Sequence, residues 1–583
     1  MSEERAAHGP PDGFRGVYRC DDAARGAYSE AAGIGRITPR AVAQPVDAAD
    51  VVTLVRWAHA ARIPLVPRGS GTSMAGGAIG DGVIVDLSRM DHSGPIERAF
   101  GFAPIQRPGL AAGAVASCTV GAGALRAALD AAAAAQGLRF PVDPSSGAYC
   151  TLGGMASTNA AGPHSMRSGA MRPWVLGLEC VFDDGSRAWI RRGAPLPTQV
   201  AAVARLVAWA GARAHEAAPA RAHVRKESAG YAVAAWRASG ELVDLLVGSQ
   251  GTLALVVRLE VALDHRPAHT ATLLAAFSSL DDAMRGAAAA RDADAGCCEL
   301  LDRTFLEVAA RGSSPVPVPP GSEAVLLLEL EGDDLPTLHA DVLRVSARLT
   351  DVGATQAVIA DTPSEEAALW ALRHAASPIL SQLDPALASM QFIEDGCVPP
   401  DRLAEYVRGV RDALRRLDTR GVIFGHAGDA HVHVNPLVDL RRPDWRETVG
   451  ALLADVVALT QRLGGTLAGE HGDGRMRAPL NAGMWGEATM ALFASLKAAA
   501  DPLGILNPGV IVPLAGQAAI EAVKYDPALP PLPPAARAVL DHVARHRAYA
   551  VSRLALLDGA APDRSESAAR GPASIMDDAS AAF

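Results

Sequence analysis

The chain has 583 residues, of which 49% are hydrophobic, 20% charged and 4% aromatic. At roughly 150 residues per domain this makes two to four domains, with cores that need no disulfide or metal staple. Its 64 acidic residues outnumber 54 basic ones, for a net charge of −10, which argues against a nucleic-acid binder and leaves small anionic substrates open.

Seven irregularly spaced cysteines form no disulfide framework. Without a CxxCxxC run an iron–sulfur cluster has no ligands. The N-terminal stretch lacks the apolar core of a signal peptide, and no run of about 18 apolar residues is present to cross a membrane. The expected location is the cytoplasm, or the inner membrane face as a peripheral protein. Only Lys226, Lys497 and Lys524 are lysines, and alanine is abundant. This drift toward arginine and alanine blurs propensity-based readings.

Residues 1–39 read as a weakly patterned N-terminal extension, with a turn at Pro10-Pro11-Asp12-Gly13. A helix is predicted from Asp47 to Arg62, with Val51, Val52, Leu54, Val55 and Ala58 on one side. Short buried strands are predicted at Ile63–Val66 and Val83–Leu87. Between them lies a loop containing Gly69, Gly71, Gly76 and Gly77, interleaved with Ser70, Thr72 and Ser73. Glycine lets the backbone turn its N–H groups into a concavity that suits a pyrophosphate. The spacing is not the dinucleotide fingerprint, and a strand rather than a helix follows, so an ordinary tight turn remains an alternative.

A second glycine-rich stretch runs from Phe140 to Gly185. It holds Pro144, Ser146, the Gly153-Gly154 pair, Thr158-Asn159 and Gly162, then a strand from Val175 to Phe182. Lys226 sits in the run Arg225–Tyr231, either as a lysine that arginine cannot replace or as a surface residue before a helix. A third segment, Gly248-Ser249-Gln250-Gly251-Thr252-Leu253, follows.

Proline punctuation falls at Asp264–Pro267 and at Pro315–Pro320. Beyond 270 the predicted strands are Leu273–Phe277, Ala324–Leu330, Gln391–Val398 and Val422–Val434. The predicted helices are Leu335–Leu349, Arg402–Leu417 and Trp445–Leu463. Within this region Gly425–Asn435 carries three of the chain's 16 histidines. On a strand, His431, His433 and Asn435 share a face, and imidazoles clustered beside an aspartate are hard to explain as packing alone. Downstream, Gly469–Gly474 sets Glu470 and His471 side by side between glycines. His426, His433 and Glu470 make a set that can hold Zn²⁺ or Mn²⁺ with a position left for substrate, and His471 remains as a general base. After Asn507-Pro508-Gly509 the pattern fades to one helix near 535–557 and a tail expected to be disordered.

In this order the segments resemble the FAD-linked oxidase superfamily of vanillyl-alcohol oxidase type, over about residues 40–513. The branch is the one that holds the glycolate oxidase flavin subunit, D-lactate dehydrogenases and D-2-hydroxyglutarate dehydrogenase. The resemblance implies an α+β fold. Its parts are a two-subdomain FAD-binding domain (40–265), an α/β cap with an antiparallel sheet (266–480), a return to the FAD domain (481–513) and a tail, partly disordered (514–583). It implies non-covalent FAD, because the first loop offers Gly71-Thr72 where a tethering histidine would stand. The pyrophosphate is expected on Pro67, Arg68, Gly69, Ser70, Gly71, Thr72 and Ser73. The ribityl chain and ring are expected along Pro144, Ser146, Gly153, Gly154, Thr158, Asn159 and Gly162, and the adenine side is closed by Gly248, Gly251, Thr252 and Leu253. It likewise assigns His426, His433 and Glu470 to the metal, His471 to proton abstraction and Arg373 to the substrate carboxylate, with Asn435 as a further catalytic candidate. The rival view of Arg373 is a solvent-facing arginine.

Several positions depart from the family pattern: Gln250 for a common acid, Ser165–Gly169 for a lysine-containing run, Ala430 for a glycine, His431 for an asparagine, and Ile393 near a lysine that diacid-using members carry. The last favours a monocarboxylate, or a diacid held differently. The implied reaction oxidises a small anionic 2-hydroxy acid, in the D form, such as D-lactate, glycolate or D-2-hydroxyglutarate. Electrons then pass to an external acceptor: electron-transfer flavoprotein, quinone, cytochrome, a separate iron–sulfur subunit or oxygen. No nucleic-acid partner is expected, and a homodimer is left open. Three other readings rank lower. An ether-lipid-synthase-like flavoenzyme carries a histidine run where Gly469–Gly474 stands here. A metal hydrolase leaves the glycine-rich segments unexplained. A non-catalytic flavoprotein subunit would not need Glu470 and His471.

Overall fold

The computed structural model describes residues 9–98, 114–213, 215–216, 220–221, 223–310, 318–374 and 387–559. The proline punctuation at 315–317, residues 1–8 of the N-terminal extension and the expected disordered end of the tail (560–583) lie outside the described residues.

The first sheet orders Val17–Arg19, Ala41–Gln44, Val83–Asp86 and Leu65–Arg68, parallel except at the Val17–Arg19 edge. Its central strands are buried along their whole length, as a parallel sheet covered on both faces must be. Ala41, Ala43, Leu65, Val83 and Val85 face helix Ala48–Ala61. Asp47 caps the start of that helix, and Arg62 ends it in the left-handed conformation. Val42, Val66 and Ile84 face the other way, onto the short helix Asp22–Ala27 and the C-terminal helix Pro534–His546. The single helix expected near 535–557 is in fact two, Pro534–His546 and Arg553–Leu557, broken at Arg547, whose φ is 51°. The N-terminal extension and the segment after residue 514 thus form one side of the first layer.

The second sheet is antiparallel, in the order Ser93–Arg98, Ala116–Gly121, Leu255–His265, Val175–Val181, Arg187–Arg191, with Leu138–Arg139 pairing the end of Leu255–His265. The third sheet is antiparallel and forms the cap. Its order is Ala354–Ile359, His269–Phe277, Ala324–Gly332, Cys297–Asp302, Arg420–His426, His431–Asp439, Leu387–Ser389, and Gly396–Cys397 also pairs His431–Asp439. Helices Leu280–Asp292, Leu335–Asp351, Leu403–Arg416 and Trp445–Arg462 cover one face. In Leu335–Asp351 the buried positions Leu338, Val342, Val345 and Leu349 recur with the helical period. Phe305, Leu369 and Leu372 cover the other face.

Two predicted strands are corrected. Val422–Val434 is a hairpin: Arg420–His426 and His431–Asp439, joined by the tight turn Ala427–Asp429 and by Ala430 at φ 55°. Gln391–Val398 is a loop apart from Gly396 and Cys397. Phe392 and Ile393 are apolar because they enter the cap core, not because they alternate along a strand.

Candidate active site

The hairpin determines the geometry. His426 closes one strand, and His433 lies two residues into the return strand opposite Phe424, so both rings reach the same buried space. His426 Nε2 and His433 Nε2 are 3.3 Å apart, and each is 3.5 Å from Glu470 Oε1. In a tetrahedral site with bonds of about 2.1 Å, neighbouring ligand atoms stand about 3.4 Å apart. Each ring is held from behind. His426 Nδ1 donates to Glu299 Oε1 at 2.6 Å, and His433 Nδ1 donates to the Glu394 carbonyl at 2.7 Å. These bonds leave both Nε2 lone pairs pointing inward, the arrangement of a metal-ligating histidine. Burial and the neighbouring His431 push the His433 pKa well below its usual value, keeping a ligand neutral as a cation requires. The donors therefore fit a Zn²⁺- or Mn²⁺-type ion.

His431, which precedes His433 by two residues on the same strand, is otherwise engaged. Its Nε2 donates to Asp395 Oδ1 at 2.9 Å, and its Nδ1 faces Lys226 Nζ at 3.5 Å. Lys226 is not a surface residue: it is 4% exposed, with Nζ 2.9 Å from Glu470 Oε2 and 3.2 Å from the Gly162 carbonyl. One Glu470 oxygen thus meets the histidines and the other meets the lysine. Lys226, His426 and His431 outweigh burial and hold the Glu470 carboxyl well below its usual range.

His471 is the most open member, its side chain 24% exposed, and its ring stacks on His433 at 5.5 Å. Its Nδ1 donates to Glu394 Oε1 at 3.3 Å, and its Nε2 is 3.6 Å from Glu470 Oε1. Burial disfavours the cation, but Asp395, Glu394 and Glu470 outweigh it and raise the pKa to about 9.

Arg373 is not solvent-facing. It is buried, its Nε donates to Glu299 Oε2 at 2.7 Å, and its guanidinium lies 4.6 Å from the Phe424 ring centre. Arg373, Glu299 and His426 therefore form a chain. Asn435 is buried on the strand that carries His433. Ile393 does not line the site but packs in the cap core; the charged residues after it turn inward instead. Glu394 and Asp395 both pair with Arg477, and Asp395 also receives the backbone N–H groups of Glu470 and His471. Glu299, Glu394, Asp395 and Arg477 were not singled out in the sequence. The one available signal was two adjacent acids, Glu394-Asp395, inside an otherwise apolar run.

The three glycine-rich segments meet beside this centre. A Cβ on Gly69 would lie 2.1 Å from Thr151 Oγ1, and one on Gly251 would lie 2.3 Å from Pro67 Cγ. Gly248 and Gln250 donate to the carbonyls of Ala156 and Ser157. Gln250 Oε1 accepts from the Gly474 N–H at 2.8 Å, tying the third segment to the loop that carries Glu470 and His471. In the first loop, the Ser70 carbonyl accepts from Arg553, the Gly71 carbonyl from Ala32 N and the Ser73 carbonyl from Gly33 N. Across a trans peptide the N–H points opposite to the C=O. The N–H groups of Gly71, Thr72 and Met74 are thereby turned to the other side, where none has a partner among the described residues. An array of unpartnered N–H groups fits the pyrophosphate of FAD.

Some expected cofactor residues act from behind. Arg68 is enclosed by the carbonyls of Tyr28, Ala78 and Glu30. Thr252 Oγ1 donates to the Ser249 carbonyl, and Leu253 is fully buried in the core. Asn159 Oδ1 accepts from Arg172 N, and Thr158 Oγ1 donates to the Gly154 carbonyl.

Comparison with known proteins matches two family models, an FAD binding domain over residues 39–191 and the C-terminal domain of FAD linked oxidases over 266–511. The chain is 31% identical over 476 residues to glycolate oxidase subunit GlcD of Bacillus subtilis, covering 81% of this chain and 88% of that one. It is 29% identical over 553 residues to D-2-hydroxyglutarate dehydrogenase of Escherichia coli, covering 88% of this chain but 52% of that longer relative. Among solved structures it resembles 4-ethylphenol oxidase from Gulosibacter chungangensis, with a TM-score of 0.59 at 15% identity over 85% of this chain and 95% of that one.

Proposed function

The chain belongs to the family of FAD-linked oxidases, and from that premise we propose that it oxidises a small 2-hydroxy acid of D configuration to the 2-oxo acid. The observation that carries this reading is the triangle of His426 Nε2, His433 Nε2 and Glu470 Oε1 beside the convergent glycine loops. We assign residues 40–265 and 481–513 to the flavin-binding part and 266–480 to the cap. Bound in these places, FAD supplies a hydride acceptor and a divalent cation supplies a Lewis acid for the α-hydroxyl.

The protein's own residues do the rest. His426, His433 and Glu470 hold the cation. Arg373, anchored through its Nε by Glu299, receives the substrate carboxylate, where a planar guanidinium binds with two parallel hydrogen bonds. His471 Nε2 takes the hydroxyl proton while Glu394 and Asp395 hold its other face. Its elevated pKa comes partly from Glu470, so engaging the Glu470 charge lowers it and leaves Nε2 unprotonated, free to accept the proton. Ile393, packed in the cap core where a lysine is expected in diacid-using members, favours a monocarboxylate such as glycolate or D-lactate, or a diacid held differently. Electrons pass on to an external acceptor. Among the described residues no helix is long and apolar enough to cross a membrane.

The test is to purify the protein, record its visible spectrum and follow dye reduction with D- and L-2-hydroxy acids, with and without chelator. Yellow protein reduced by D acids in a chelator-sensitive way supports the reading; colourless protein, or no response to any hydroxy acid, overturns it.

A further inference from the structure

Two buried guanidinium groups stand behind the first glycine loop without ion partners. Arg68 is 2% exposed and Arg553 3%. Among the described residues neither makes an ion pair. Arg68 donates to three backbone carbonyls, Arg553 donates to the Ser70 carbonyl at 3.0 Å, and the Nε of each is buried and unpartnered. The nearby carboxylates compensate them only in part. Asp86 acts on both guanidinium groups from a distance but forms an ion pair with neither, its partners being the neutral Tyr28 hydroxyl and Gln44, and Glu30 pairs with Arg36 and Arg537. Burial together with the Arg553 charge lowers the Arg68 pKa to about 9.

Two buried guanidinium groups against the single charge of Asp86 leave a net positive charge, and a buried cation without a full partner costs several kcal/mol, so the pair calls for a further anion. The loop in front of them is the one whose N–H groups face outward. The Arg553–Ser70 bond is also what turns the Gly71 N–H away from the terminal elements. Gly71 itself, at φ 78°, would drive a Cβ to 2.5 Å from the Arg68 guanidinium, so guanidinium and loop are in direct contact.

Arg553 comes from the helix Arg553–Leu557, beyond the stretch matched by either family model. Its own segment secures it. Its guanidinium lies 5.7 Å from the Tyr549 ring centre, Tyr549 meets Tyr149 of the second glycine-rich stretch at 6.4 Å, and Ser552 Oγ accepts from Gln44. The C-terminal segment therefore touches both the pyrophosphate loop and the stretch expected along the ribityl chain.

We propose that Arg553 is a positioning residue for the dinucleotide: with Arg68 it supplies the positive charge that a bound pyrophosphate neutralises, which makes the segment 534–557 a clasp on the cofactor. This rests on the reading of the chain as an FAD protein. It concerns how the pyrophosphate half is held, not the chemistry at the hydroxy acid.

The experiment compares wild type, Arg553→Gln and Arg553→Lys as holoenzymes and after flavin removal. The readouts are flavin fluorescence during titration with FAD and with riboflavin, which lacks the pyrophosphate, and Tm of both forms. Charge-assisted hydrogen bonds of this kind correspond to about tenfold to hundredfold in affinity. Arg553→Gln is expected to weaken FAD by about that factor and leave riboflavin unchanged. It should lower the holo Tm while leaving the apo Tm equal or higher, because an unpaired buried charge has been removed. Arg553→Lys should recover part of the FAD affinity. Equal loss for FAD and riboflavin, or an equal fall of apo and holo Tm, means a merely structural residue and overturns the proposal. So does unchanged FAD affinity. Wild type that binds no FAD at all would overturn the family-based reading itself, and the clasp with it; wild type that binds FAD but oxidises no hydroxy acid would leave the clasp standing and remove only the proposed reaction.

Discussion

The candidate metal centre and the candidate flavin cradle sit side by side but are built by different means. The former is made of side chains. His426, His433 and Glu470 converge through Nε2 and Oε1 atoms, and each is fixed by a second residue behind it: Glu299, the Glu394 carbonyl and Lys226. The cradle is made of backbone. Its N–H groups face forward because terminal elements far away in sequence hold its carbonyls back. Damage to the first should therefore show as loss of a named ligand or base with flavin retained. Damage to the second should show as loss of flavin with the metal centre intact.

The sharpest way to break that contrast is His471→Ala. A general base contributes about 10²–10⁴-fold, so turnover should fall by that order while the protein stays yellow; bleaching by substrate at the wild-type rate would remove His471 from the mechanism. Glu299→Gln weakens the partner behind His426, so metal affinity should fall about 10–100-fold, measured by metal titration, with flavin content unchanged. Flavin lost together with metal would mean that the two regions are not separable. Gly71→Ala tests the other side. The left-handed conformation and the contact with Arg68 should cost roughly 1–3 kcal/mol and reduce flavin per protein without reducing bound metal.

The last expected effect lies between the regions and is one of stability rather than ligand content. His164, from the second glycine-rich stretch, donates to Asp143 at 2.6 Å and to Glu329 of the cap sheet at 2.8 Å. Burial opposes its cation, but Asp143 and Glu329 outweigh burial and raise its pKa well above the usual value. A group whose pKa is raised on folding stabilises the fold fully below its unfolded pKa, and that contribution disappears as pH rises through the folded pKa. Against His164→Gln, wild type should thus gain about 1–3 kcal/mol in mildly acidic solution, shrinking at alkaline pH. Thermal unfolding across pH checks this, and a gap that widens with pH would mean that the bridge is neutral.

The parts legible in the sequence share one property: they are local. His426, His433, Glu470 and His471 lie in one hairpin and one loop, so spacing alone pairs them as candidates. The helices Ala48–Ala61 and Trp445–Arg462 announce themselves by apolar period and end at the residues expected. What was missed is non-local. Glu299 enters from a strand more than a hundred residues before His426, and Arg477 closes on Glu394 and Asp395 from another segment. Each is one acid or arginine among dozens until the fold brings it inward. For Lys226 the sequence leaves an irreplaceable lysine and a surface residue both open, because its partner Glu470 is 244 residues away. Ala430, where the family resemblance leads one to expect glycine, takes a left-handed turn at φ 55°, a strain of roughly 1–2 kcal/mol held in place by hairpin pairing on both sides.

The candidate chemistry was legible in the chain alone: three glycine-rich loops, two imidazoles and a carboxylate at ligand spacing, and a neighbouring histidine. These depend on residue type and short-range order. Which way each group faces depends on the fold. Second partners orient the imidazoles, Lys226 engages one oxygen of Glu470, and Arg553 turns a loop carbonyl back. Hydrogen bonds act over about 3 Å, so a side chain's role is set by whatever the fold places within that reach, however distant in the chain.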